Sequence, residues 1–224
     1  MIQDLIRRLF GRPTNKAMTP EQRTTHKENN KMTTYTIFGG TGSMGTAIAG
    51  VLDKGGATTV AVSSTEAPTA TIEGDVVILA VPYPAVDEII STHRDALAGK
   101  IVIDITNPLN FETFDELVVP AGSSAAAEIQ AKLPESKVLK AFNTTFAATL
   151  SSGTVGDLTT TVLVAGDDES AKKTLVDDVT AGGLDALDAG SLKRAHELEA
   201  VGFLQLTLAA SEKIGWTGGF GLVK

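Results

Sequence analysis

The sequence predicts an α/β fold: a doubly wound, mostly parallel sheet, with a C-terminal helix and an N-terminal appended arm. Three observations predict it. From Met32 onward, short runs rich in β-branched residues alternate with helical patterns, as parallel strands joined by crossovers require. The first such run, ending at Phe38, leads directly into a glycine-rich turn and then a helical stretch. Finally, 42% hydrophobic content in 224 residues is enough to bury a substantial core.

In the first ten residues, Ile2, Leu5, Ile6, Leu9 and Phe10 recur at helical spacing, with Asp4, Arg7 and Arg8 on the other side. A short amphipathic helix is expected there. Residues 11–31 are polar, contain Pro13 and Pro20, and read as a linker. The expected organisation is therefore an arm over residues 1–31 and one domain over residues 32–224. Strands are expected near 35–38, 58–62, 76–80, 101–105, 138–141, 160–164 and 184–187. Helices should fill 44–53, 85–97, 124–132, 170–179 and 192–214. Asp167, Asp168 and Glu169 should cap the fourth of these, while Asp177 and Asp178 should be solvated. Residues 63–75, between the second and third strands, contain Pro68, Thr69, Thr71 and Gly74. They should close as a loop rather than a crossover helix, leaving the sheet face beside them thinly covered.

The chemistry concentrates at the carboxyl ends of the expected strands. Phe38-Gly39-Gly40-Thr41-Gly42-Ser43-Met44-Gly45 follows a strand and opens a helix. Gly40, Gly42 and Gly45 have the spacing of the dinucleotide fingerprint of Rossmann-type domains: a tight turn, close approach to a pyrophosphate, and close helix packing. A helix N-terminus adds unpaired N–H groups and a positive dipole end. Ala80-Val81-Pro82 and Asn107-Pro108-Leu109 fall at two further strand ends, where proline stops the strand and holds main-chain groups extended. Singly they read as strand terminators; with the glycine turn they define one crevice. After the second strand come Ser63, Ser64, Thr65 and Glu66. Hydroxyls suit an adenosine 2′-phosphate, whereas a carboxylate suits a ribose 2′-OH. No Arg or Lys lies between Lys54 and Arg94, and NADP is the expected cofactor.

These motifs resemble the deazaflavin-dependent NADP reductase family. The resemblance rests on Gly39 to Gly45, Ala80 to Pro82, Thr106 to Leu109, Ser124 to Glu128, Lys140 to Thr144, Ala165 to Asp168 and Asp188 to Leu192, in that order. It implies an oxidoreductase that moves a hydride between NADP(H), bound on the Gly40 to Gly45 turn, and a flavin-like or other small acceptor. It also implies a nicotinamide near Asn143 and Thr144. The sequence departs from the family in its short crossover after Thr65, in lacking a basic residue after the serines, and in the arm before Met32.

A net charge of −8 argues against a nucleic-acid or anionic-membrane surface and for a small-molecule partner. With no cysteine there is no disulfide framework or thiolate nucleophile, which fits a cytoplasmic location. The apolar runs fall short of the ~20 residues a membrane span needs, and no signal peptide is expected. His26, His93 and His196 lack metal-ligand spacing, so each reads as a surface or capping residue, with no metal site. Two other functions fit the same cofactor domain. One is a reductase of an imine or carbonyl substrate, with Lys193, His196 or Lys213 as proton donor; the other is a noncatalytic NADP(H) sensor. In the last helix Leu198, Val201, Leu204 and Leu208 form one stripe, with Phe203 and Leu206 off it, which suggests a homodimer. Trp216 and Phe220 either wall an acceptor pocket or plug the core.

Overall fold

The sheet is laid around one buried strand, β1 (Thr34–Phe38), in which Tyr35, Thr36, Ile37 and Phe38 have no exposed surface. The computed structural model describes residues 32–223, so the expected N-terminal helix and linker lie outside the described residues. In chain order follow α1 (Ser43–Lys54), β2 (Thr58–Val62), β3 (Val76–Leu79), α2 (Val86–Leu97), β4 (Ile101–Asp104), α3 (Ala125–Lys132) and β5 (Lys137–Lys140). Then come α4 (Ala147–Ser152), a small hairpin of β6 (Thr154–Val155) and β7 (Leu158–Thr159), β8 (Thr161–Gly166), α5 (Glu169–Ala181), β9 (Asp185–Gly190) and α6 (Ala195–Ala210).

Seven strands form the main sheet in the order β2-β1-β3-β4-β5-β8-β9. All neighbours are parallel except β5 and β8, which run antiparallel. Strand order reverses at β1, placing a switch point between β1 and β3, where sheets of this kind open a ligand crevice at their carboxyl ends. Both faces are covered, and the strand residues divide by parity as the pleat demands. Tyr35, Ile37 and Ile78 join Ile48, Leu52 and Leu175 on one side, while Phe38, Val77 and Leu79 join Ile89, Leu97 and Ile129 on the other. This near-continuous apolar character is what a parallel sheet buried on both faces requires.

The expected strands and long helices are present, with ends shifted by a few residues. Two elements escaped periodicity: α4, only six residues long, and the β6–β7 hairpin, whose strands have two residues each. The last helix is shorter than expected, because a 3₁₀ turn at Leu192–Arg194 precedes α6. The crossover after β2 does close without an α-helix, using a 3₁₀ turn at Ala67–Thr69. It covers the sheet more than expected: Ala67, Ala70 and Ile72 pack on the Phe38 side of the core. His93 secures it and is not a surface residue. The imidazole is buried, its Nε2 lies 2.7 Å from the Ala67 carbonyl, and its ring sits 5.1 Å from that of Phe38. Asp178 is not simply solvated either, since it accepts a 2.6 Å hydrogen bond from the buried Tyr35 hydroxyl.

Of the three acidic residues expected to cap α5, Asp168 is the N-cap, and its carboxylate accepts from the Ala171 N–H at 2.8 Å. Asp167 instead accepts from the Leu192 N–H, and Glu169 pairs with Lys172. The Ser170 hydroxyl, the Ala171 N–H and Lys137 together hold the Asp168 carboxyl down at about 2. A carboxylate depressed in the folded state stabilises it above its ordinary value near 4 and loses that contribution as pH falls toward 2. Asp168→Ala should cost about 1 kcal/mol at neutral pH. Asp168→Asn, which keeps an acceptor for the cap, should cost less and flatten the acid limb; urea unfolding from pH 2 to 7 measures both.

Candidate active site

The turn between β1 and α1 needs glycine at three positions for reasons internal to the protein. Gly39 has φ +76°, and a Cβ there would stand 2.1 Å from the Ala80 carbonyl oxygen. A Cβ on Gly40 would meet Ala61 of β2 at 2.7 Å, and one on Gly45 would meet the Gly39 carbonyl oxygen at 2.3 Å. The positive φ thus falls on Gly39 rather than Gly40, whose role is close approach to β2. Gly42 differs. It is the α1 N-cap, and the nearest atom to a Cβ there would be the Gly39 carbonyl oxygen at 3.3 Å. Packing does not demand glycine at this position, and it supplies no side-chain cap to the N–H groups of Ser43, Met44 and the rest of the first turn. An anion is the natural complement to that end of the helix.

A cavity of about 570 Å³ opens beside this turn, at the carboxyl ends of β1, β3, β4 and β5. Of the residues expected at the site, Ser43, Met44, Ala80, Val81, Pro82, Asn107 and Asn143 line it. Tyr83, Phe111, Phe146, Leu206 and Trp216 supply an apolar and aromatic wall. Trp216 stacks obliquely on Phe146 at 5.1 Å and is 53% exposed, and Phe220 is 48% exposed, so neither plugs the core. Pro108, Leu109 and Thr144 are buried behind the lining, with Leu109 in an isolated bridge to Leu117. A smaller cavity of about 130 Å³ lies at the other end of the turn, walled by Ser64, Ala67, Pro68, Val81 and Ile89. Ser63 and Thr65 stand at the end of β2, against which the turn rests through Gly39 and Gly40 N–H bonds to the Val62 carbonyl.

Below the larger cavity is a cluster that the motifs did not reveal. Lys140 is fully buried, with its Nζ 2.7 Å from Asp104 and 2.8 Å from Glu199, and it also donates to the Thr106 carbonyl. Glu199 accepts from the Ala125 and Ala126 N–H groups at the start of α3, and Asp104 accepts from the Thr106 N–H. Burial pushes the Glu199 carboxyl up, and Lys140 partly offsets this. Charged residues inside the apolar runs Ile101 to Ile105 and Val138 to Phe142 were the available signal. What no spacing could show is that they meet each other and Glu199.

The two asparagines hold each other and the backbone of α6. Asn143 donates from Nδ2 to Asn107 Oδ1 at 2.9 Å and to the Leu198 carbonyl at 2.8 Å, and Asn107 donates to the Asn143 carbonyl. The chain reaches Asn143 through Phe142, buried with φ +63°, where the Asn143 N–H closes a three-residue turn onto Ala141. A buried non-glycine residue in that region is strained, and such strain gathers at working sites. Gly202 lets α6 press onto the pair, since a Cβ there would fall 2.2 Å from Asn107 Oδ1. Two polar atoms remain without a partner, Asn143 Oδ1 and Thr106 Oγ1, on residues that line the cavity. Lys193 and His196 belong to a separate cleft beside Ser123 and Asp167.

A family model described as NADP oxidoreductase, coenzyme F420-dependent, matches residues 57–108. The chain is 36% identical over 150 residues to the F420-dependent NADP reductase of Methanocaldococcus jannaschii, covering 65% of this chain and 67% of that protein. It is 37% identical over 107 residues to metalloreductase STEAP3 of Rattus norvegicus, a stretch that is 48% of this chain and 21% of that one. A solved structure from Arthrobacter, provisionally assigned as an F420-dependent NADP reductase, superposes with a TM-score of 0.70 at 23% identity, covering 85% of this chain and 99% of that one. Plasmodium falciparum pyrroline carboxylate reductase with NADP bound superposes at 0.54 and 12% identity, covering 83% and 68%. At these identities the two structures share the fold: a Rossmann-like, NAD(P)-binding α/β sheet.

Two substitutions separate the roles of these residues. Lys140→Met strands two buried carboxylates and should cost about 3–5 kcal/mol in urea unfolding. Gly42→Val should leave the melting temperature nearly unchanged yet abolish NADPH binding in a fluorescence titration, whereas Gly45→Val should disrupt the turn itself. Unchanged affinity in folded Gly42→Val protein would reduce the motif to a turn.

Proposed function

The chain belongs to the F420-dependent NADP oxidoreductase family and is an NADP-dependent oxidoreductase, and from that premise we propose that it transfers hydride between NADP(H) and a deazaflavin of the F420 type. The residues present fit the dinucleotide: three glycines shape a cradle, a fourth is a helix N-cap with no side-chain cap, and two buried polar atoms beside the cavity lack partners. When bound, NADP(H) gives or takes the hydride at its nicotinamide ring. In this reading Gly40, Thr41, Gly42, Ser43, Met44 and Gly45 hold the pyrophosphate, and Ser63, Ser64 and Thr65 face the adenosine 2′-phosphate. The main chain of Ala80, Val81 and Pro82 runs along the nicotinamide ribose. Asn107 and Asn143 orient the carboxamide, while Pro108, Leu109 and Thr144 brace them from behind.

The observation that carries this reading is the lining of the larger cavity. Among the described residues there, Tyr83 is the sole titratable side chain, and burial, with nearby Glu128 and Asp87, raises its pKa and keeps it neutral. Hydride transfer between two redox rings needs proximity and exclusion of water, not a protein acid or base at the reacting carbon. Phe111, Phe146 and Trp216 suit a flat acceptor. Reduction of an imine or carbonyl would call for a proton donor; of the expected candidates Lys193 and His196 stand in a different cleft and Lys213 does not line the cavity, which leaves the Tyr83 hydroxyl as the titratable donor there. A sensor reading has no comparable observation in its favour.

A homodimer is part of the same proposal. The buried face of α6 carries Leu198, Glu199, Gly202 and Gln205, while Val201 and Leu204 of the expected core stripe are exposed. An apolar face turned outward is what a second copy would cover. No helix among the described residues is long and apolar enough to cross a membrane.

Steady-state oxidation of NADPH with F420, FMN and quinones as acceptors tests the activity. Turnover with F420 is expected, and tight NADPH binding without turnover would replace the enzyme with a sensor. Trp216→Ala should raise the Michaelis constant for the acceptor about tenfold, in line with the loss of one aromatic contact. Sedimentation at micromolar concentration should give a dimer that Leu204→Glu dissociates.

A further inference from the structure

Glu66 is an anion already seated where the cofactor's outer anion is expected. It follows the last residue of β2, Val62, by four positions, and its Oε2 accepts 2.9 Å from the Ser63 N–H and 2.6 Å from the Ser63 hydroxyl. That hydroxyl also lies 3.1 Å from the Thr65 hydroxyl, and the one carboxylate occupies both donors of Ser63. The Gly39 and Gly40 N–H groups bond to the Val62 carbonyl on one side, and the small cavity lined by Ser64, Ala67 and Pro68 opens on the other. Ser63 to Glu66 therefore sits between the glycine turn and a small cavity, where a dinucleotide domain meets the 2′ position of the adenosine ribose.

We infer that Glu66 is a specificity-determining residue whose carboxylate competes with the 2′-phosphate for Ser63, holding down the preference for NADP(H) and letting the site accept NAD(H) as well. The inference rests on the dinucleotide reading of the crevice given above. A 2′-phosphate must displace the carboxylate or lie beside it, and no Lys or Arg between Lys54 and Arg94 offsets that repulsion from the same segment. A ribose 2′-OH can instead donate to Glu66 where it stands. The Ser63 hydroxyl, and then its N–H, hold the Glu66 carboxyl below the usual carboxylate range, so it is charged at neutral pH.

The same contacts cap the turn that starts the crossover, the Glu66 carboxylate accepting from the Ser63 N–H and hydroxyl while the Glu66 N–H donates to the Ser63 carbonyl at 3.2 Å. A purely structural Glu66 would have no effect on the 2′ position, and Glu66→Gln separates the two roles because glutamine keeps the capping oxygen and removes the charge. The measurement is the affinity of wild-type and Glu66→Gln protein for 2′,5′-ADP and 5′-ADP by calorimetry at fixed salt, with NADPH and NADH as the full-length pair. Glu66→Gln should raise the 2′,5′-ADP to 5′-ADP affinity ratio about tenfold, the size of a screened like-charge contact. Glu66→Ala should raise it as well while lowering the melting temperature. A ratio unchanged or decreased in folded Glu66→Gln protein overturns this inference and leaves the cofactor site standing. Wild-type protein that binds none of the four ligands overturns the crevice reading, and the inference with it.

Discussion

Lys140, Asp104 and Glu199 share one dry volume under the cavity, and the arrangement of the carboxyl edge depends on their meeting. Each charge loses several kcal/mol of hydration on burial, a loss repaid only when geometry is good and the remaining lone pairs are used. Here they are used: Asp104 and Glu199 both bind Lys140, Glu199 caps the start of α3, and Asp104 holds the Thr106 N–H. Four elements are fixed by one ammonium group. Because a single partner removed would strand the others, the cluster contributes more to the uniqueness of the fold than to its net stability.

The unusual character of α6 follows from this. A surface helix normally buries its apolar stripe. Here the inward face instead carries Glu199 for the cluster, Gly202 for the asparagine pair, and Gln205, whose side chain accepts from the Phe220 N–H of the tail. Val201 and Leu204 consequently face outward. One helix thus joins the floor of the site, its asparagines and the Trp216 wall.

The glycine-turn end of the crevice is built differently, from backbone contacts within the turn and to the neighbouring strands. Gly39, Gly40 and Gly45 are required by backbone approaches of under 3 Å within the turn and to β2 and β3, and Glu66 closes on Ser63 three residues away. His93 adds a further contact from α2, to the Ala67 carbonyl. These contacts share no residue with the Lys140 cluster.

That contrast also separates what was legible in the sequence. The sheet, its long helices, the glycine turn and the strand-end prolines depend on period, turn chemistry and short-range sterics, all of which act between residues near in sequence, and these the chain determined by itself. The loop nature of the crossover after Thr65 was readable for the same reason, from Pro68 and Gly74. Only tertiary structure decided that Asp104, Lys140 and Glu199, spread over 95 positions, neutralise one another. It decided too that Asp178 receives the Tyr35 hydroxyl, that His93 is buried, and that α6 leaves Val201 and Leu204 of its apolar stripe exposed. Each of these is a choice between burying a polar group with a partner and leaving it in water, and the partner is supplied by the fold, not by neighbours along the chain.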